Sequence, residues 1–254
     1  MSDRRLRARD DSGLTLVELI VAVMLLSILL ALVANLYVST MRTVGLSREL
    51  TANTKQVANA MNETTRAIRA ATENPVSGSA LNQPAFIIAR PDDIVFFAYV
   101  NVYSDLTSAQ QPVMIRLRVD RTTGKYEESR WKGSPTSDDK WVFPTNPCEA
   151  PGVPVGCTAP LTKRTLSTTM SPIGTGPPSL PALVAPFIYL DNDKNVIPYT
   201  TASDNTAITG LSETNRRLIA FVKVTLAAQA SLTDTSNPVR LESIVGIPNL
   251  GFAK

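Results

Sequence analysis

One carboxylate, Glu18, stands at the head of an otherwise apolar stretch: fifteen of the sixteen side chains from Leu19 to Ala34 are apolar. An acid at membrane depth costs about 2.5–3.5 kcal/mol at the centre of a spanning helix and less near an end, so its presence points to a task that needs it. The chemistry open to it is pairing with a cation. The plain alternative is an ordinary anchor whose glutamate snorkels to the nearby interface. Elsewhere the chain offers little reactive material. Histidine is absent, which excludes His-based triads and His-ligated metal sites. No phosphate-binding loop, dinucleotide fingerprint or metal cluster can be read, so no cofactor and no catalytic residue are expected. Asp191, Asp193 and Asn195 place oxygens at alternate positions, as at the start of a calcium loop, but Val196 and Ala202 stand where the loop glycine and glutamate belong. A polar turn accounts for the same residues. The two cysteines, Cys148 and Cys157, close a short loop if bridged, worth about 2.5–3 kcal/mol in the chain-entropy view.

These residues need elements to hold them. Residues 14–38 make a helix of about 37 Å, enough to cross a hydrocarbon core of roughly 30 Å. Arg4, Arg5, Arg7 and Arg9 precede it and basic residues follow only sparsely, so the positive-inside tendency puts the N-terminus in the cytoplasm and the bulk of the chain outside. Outside, the two thiols face an oxidising compartment, which favours a disulfide. Past the membrane the pattern becomes one-sided: Leu46, Leu50, Val57, Met61, Ile68 and Ala71 recur at helical spacings. One helix is expected over residues 14–74, about 60 residues long, with Pro75 stopping it.

The segment Ser12-Gly13-Leu14-Thr15-Leu16-Val17-Glu18, followed by the apolar run, resembles the N-terminus of type IV prepilins and type II secretion pseudopilins. The resemblance implies a leader, residues 1–13, removed by a prepilin peptidase that cuts after Gly13. It implies a mature N-terminus at Leu14, usually N-methylated, and a Glu18 that recruits and registers the subunit in a filament. The freed amine would supply the missing cation. Within one helix it lies about 6 Å up the axis, whereas a neighbour displaced by about one turn sets its own amine against the carboxylate. Most members carry Phe where this chain has Leu14.

From Pro75 the periodicity turns to strands. Ala85–Ile88, Ile94–Val100 and Val113–Val119 are β-rich, the last alternating in the manner of a half-buried strand, and Lys125–Trp131 is its expected hairpin partner. Nine of the eighteen prolines fall within 144–181, predicting a long irregular loop. The closing order, Pro186–Asp193 with its Tyr-x-Asp turn, Leu218–Leu226 and Val239–Val245, resembles the C-terminal half of W-type minor pilins and J-class pseudopilins.

The expected fold is therefore α+β, a long N-terminal helix packed on an antiparallel β-sheet head (residues 75–254), the type IV pilin fold. The expected function is structural: a minor pilin acting in pilus initiation, at the tip or in biogenesis, with a pseudopilin of a secretion or DNA-uptake system, or a tip-displayed adhesin, as alternatives. A membrane-tethered enzyme is disfavoured by the missing histidines and the lack of a nucleophile constellation. Expected partners are other pilin or pseudopilin subunits, the peptidase, a membrane platform protein and lipid. The net charge of +3 is too small to argue for nucleic acid, and the basic pairs Lys163-Arg164 and Arg216-Arg217 read as solvated surface. The expected location is the inner membrane, then an extracellular filament.

Overall fold

The computed structural model describes residues 15–100, 111–120, 123–138, 140–148, 155–168, 170, 185–201, 208–228 and 239–250. Contacts divide the chain into two units, 1–49 and 50–254, and helix α1 (Leu16–Arg69) contributes to each. In the second unit α1 meets a five-stranded antiparallel sheet of order β1-β2-β3-β4-β7. Its strands are β1 (Phe86–Ala89), β2 (Asp93–Ala98), β3 (Val113–Val119), β4 (Tyr126–Lys132) and β7 (Thr162–Ser167). Between β4 and β7 a small hairpin pairs β5 (Ser134–Pro135) with β6 (Trp141–Val142). A second antiparallel sheet has the order β12-β11-β8, from β8 (Phe187–Leu190), β11 (Phe221–Ala228) and β12 (Val239–Gly246). A short ribbon, β9 (Thr200–Thr201) with β10 (Ile208–Gly210), and helix α2 (Glu213–Arg217) complete the described elements. The architecture is α+β, with an apolar N-terminal helix followed by antiparallel sheets.

One core joins the helix to both sheets. Val57, Ala60, Met61, Ala67 and Ile68 of α1 pack with Ile94, Phe96, Ile115, Leu117 and Tyr126 of the first sheet and with Phe187, Tyr189, Val222 and Val224 of the second. Burying large side chains such as these stabilises by about 1.5–3 kcal/mol each relative to exposure. Val57, Met61, Ile68 and Ala71 of the expected stripe are buried, but the stripe does not extend to its first two members. Leu46 and Leu50 stay exposed, while the polar Thr64 is buried, its hydroxyl 2.6 Å from that of Tyr126. Thr64 is tolerated because Ala60 O and Tyr126 satisfy it. The helix ends at Arg69, short of the expected Pro75 stop. Its last turn tightens, Ala70 and Ala71 donating to Ala67 O and Ile68 O. Ala71 then pairs with Ala98 and Asn74 with Gln83, so strand-like pairing takes the chain before proline can act.

The first sheet is covered on both faces, which corrects the half-buried reading of Val113–Val119. Val95, Phe97, Met114, Trp131 and Phe143 form a separate apolar cluster on the far side, with Trp141 of the small hairpin packed against it. Gly133 permits this: a Cβ there would sit 2.9 Å from the Phe143 ring. On the same side Asp93 and Arg116 make a buried bidentate pair, Arg116 donating to the carboxylate at 2.8 and 2.5 Å. The proline-rich interval is also less irregular than expected, because Thr162–Ser167 pairs with β4 as the sheet's outermost strand. Residues 149–154, 169 and 171–181 of that interval lie outside the described residues.

Burial has a consequence in alkali. The phenols of Tyr126, Tyr189 and Tyr199 are each pushed above their ordinary value, chiefly by desolvation. A folded-state pKa above the unfolded one gives stability that is complete below about pH 10 and lost as pH rises beyond it. Urea midpoints should therefore be flat from neutral pH to about pH 9 and fall steeply above about pH 10. Tyr126→Phe should shallow that alkaline fall, while costing about 0.5–1.5 kcal/mol at neutral pH for the lost Thr64 bond. An alkaline limb of unchanged slope in the variant would remove Tyr126 from the account.

Candidate assembly segment

α1 begins at Leu16 with Thr15 as its cap: the Thr15 hydroxyl accepts from the Glu18 N–H at 3.3 Å, and Thr15 O accepts from Leu19 N at 3.1 Å. Glu18 is thereby the third residue of the helix, where its charge faces the positive end of the backbone dipole. Threonine at the cap and glutamate three residues on is the spacing of a capping box, a local signal present in the sequence that a reading centred on the membrane overlooked. Beyond Glu18 the helix is greasy on all sides and none of that greasy surface is covered; Leu30, for instance, is 58% exposed. Among the described residues, α1 is the one helix with a stretch long and apolar enough to cross a membrane. Ser27, Thr40 and Thr43 return their hydroxyls to backbone carbonyls one turn earlier, so they add no unsatisfied polarity to this surface.

Residues 8–34 match the family model of the prokaryotic N-terminal methylation motif, which spans Gly13, Leu14, Glu18 and the apolar run. The chain bears a type IV prepilin-like N-terminus. No curated protein matches it. The motif is that of pilin- and pseudopilin-like proteins, a structural rather than enzymatic family, and implies in general processing by prepilin peptidase and assembly with other pilins. With the exposed apolar helix it also implies membrane anchoring. Gly13 and Leu14 themselves, with the rest of the leader 1–13, lie outside the described residues.

The other candidate residues of this pilin-like chain sit in its head. Cys148 and Cys157 form a disulfide. Flanking it, Cys148 N donates to Thr158 O, Trp131 donates its indole N–H to the same carbonyl, and Arg116 donates to Cys148 O at 3.3 Å. The bridge thus belongs to the layer covering the far face of the first sheet. Asp191, Asp193 and Asn195 shape a turn: Asp191 Oδ1 accepts from the backbone N–H of Asp193 and Asn195 at 2.9 and 2.8 Å, with Lys194 at φ +64°. The Asp191 carboxylate therefore faces backbone donors of its own turn, as in an Asx-turn, and the chain returns through the Leu190–Val196 bridge. Among the described residues no group of three acidic, Cys or His side chains converges on a metal-sized site. Of the basic pairs, Lys163 meets Glu127 at 2.9 Å, Arg164 meets Glu63 and Glu128, and Arg217 meets Glu213.

Proposed function

We propose that the chain is a minor subunit of a type IV pilus, cleaved after Gly13, N-methylated on Leu14 and inserted into the filament through α1, with Glu18 setting its register. The match over residues 8–34 carries this reading, because it unites the peptidase site, the carboxylate and the apolar helix in one stretch. Glu18 has no cationic side chain beside it on the helix, whereas a processed neighbour offset by about one turn presents an ammonium at the needed height. In lipid such a pair relieves two charges at once. The peptidase, other pilin subunits and a membrane platform protein are the proposed partners. The anchor lies in the inner membrane with the head outside, and the Cys148–Cys157 bridge supports an oxidising surrounding for the head. A head with two sheets, the first covered on both faces, favours a large minor subunit over a small major pilin. The turn at Asp191 followed by β11 and β12 resembles the closing part of W-type minor pilins and J-class pseudopilins.

Mass spectrometry of protein isolated from cells that express the peptidase tests the proposal. The expected N-terminal peptide begins at Leu14 and carries one added methyl group. Protein that still begins at Met1, or that begins beyond Ala34, refutes it.

A further inference from the structure

Between α1 and strands β4 and β7, Glu63, Arg66, Ala67, Val100, Arg130 and Arg164 line a groove of about 240 Å³. Beneath it lies Glu128, 1% exposed. Three guanidinium groups thus face two carboxylates. Their bonding is uneven. Arg164 Nη2 donates to Glu63 at 2.6 Å and to Glu128 at 2.7 Å, and Arg130 donates its Nε to the other oxygen of Glu128. These bonds hold the Glu63 carboxyl below its ordinary range, the Arg164 hydrogen bond being the main cause. They also account for Glu128, a buried acid that two arginines neutralise. Arg66 is exposed and acts on Glu63 through its charge rather than through a hydrogen bond. Its guanidinium makes no hydrogen bond among the described residues, and neither do the terminal nitrogens of Arg130, whose side chain is only 20% exposed.

Two guanidinium forks with idle N–H groups, lining one groove, suit the paired oxygens of a carboxylate or phosphate. Partial burial of Arg130 strengthens that attraction over its value in open water. We propose that this groove binds a small oxyanion, a carboxylate or a phosphate, through Arg66 and Arg130, with Arg164 fixed behind them by Glu63 and Glu128. The inference is independent of filament assembly, since a chain that never assembled would still bind.

Calorimetric titration of the full chain in neutral detergent, at constant ionic strength, separates the possibilities. Galacturonate, galactose 6-phosphate and neutral galactose are the probes. At least one of the two anions is expected to bind while galactose does not, and the tighter anion identifies the source of the oxygens. Arg66→Gln should weaken that binding about tenfold, the scale of one charge-assisted hydrogen bond. Lys163→Gln, which removes a charge paired with Glu127, should leave it unchanged. Failure of both anions to bind, equal binding of galactose, or an affinity untouched by Arg66→Gln would overturn the proposal.

Discussion

Arg116→Ala is expected to lower the stability of the head by about 3–5 kcal/mol, the usual cost of stranding one member of a buried ion pair. Asp93 and Arg116 are each 3% exposed, and the fork-to-fork geometry satisfies both oxygens of the acid. Removing the arginine leaves a buried carboxylate on the sheet face that also carries Val95, Phe97 and Met114, with Arg90 4.0 Å away. Removing the acid instead should cost a similar amount. The double change Asp93→Leu with Arg116→Met should recover most of the loss, because no isolated charge remains. Urea unfolding of the full chain in mild detergent, followed by circular dichroism, measures all four proteins. If Arg116→Ala lies within about 1 kcal/mol of the parent, the pair is not the mainstay its burial suggests.

The second large effect is on assembly. Glu18→Ala is expected to insert into the membrane and to be cleaved, yet to be nearly absent from sheared filaments. Two causes would give that result, because Glu18 both carries the charge for a neighbour's ammonium and occupies the third position of a helix capped by Thr15. Glu18→Gln separates them. Glutamine serves a capping box as glutamate does, so the helix start survives while the charge goes. Filament incorporation as poor as that of Glu18→Ala would assign the effect to charge pairing. Incorporation restored to the parental level by glutamine would assign it to the helix start and remove the registration role.

The local signals in the sequence located most elements. Alternation and β-branched content marked the ground of β2, β3 and β4, and the closing strands β11 and β12 pair along eight residues each, where two long final strands were expected. What was illegible depends on partners distant in sequence. Arg116 reads as solvent-facing in the pattern Val113–Val119 because nothing nearby announces that Asp93 and the Cys148 carbonyl will meet it. Thr64 interrupts the apolar stripe, and its burial follows only from the Tyr126 hydroxyl 62 residues later. Strand β7, Thr-Lys-Arg-Thr-Leu-Ser, lacks the apolar alternation of a strand and lies among prolines. It is extended because β4 supplies an open row of backbone partners. At the N-terminus the reverse holds. The apolar first part of α1 stays exposed, so the reading there rested on the resemblance to prepilin N-termini rather than on packing, and the match over residues 8–34 agrees with it.

The far-side layer has one more consequence, an optical one. Trp131 and Trp141 are the chain's two tryptophans, and both reside in that layer, on the side of the first sheet turned away from α1. Indole emission therefore watches a single region, the blanket of hairpin and bridge, and is blind to the helix side. Following red-edge indole emission beside the helical circular-dichroism signal during unfolding will report whether the blanket lifts before the helix lets go or both depart together.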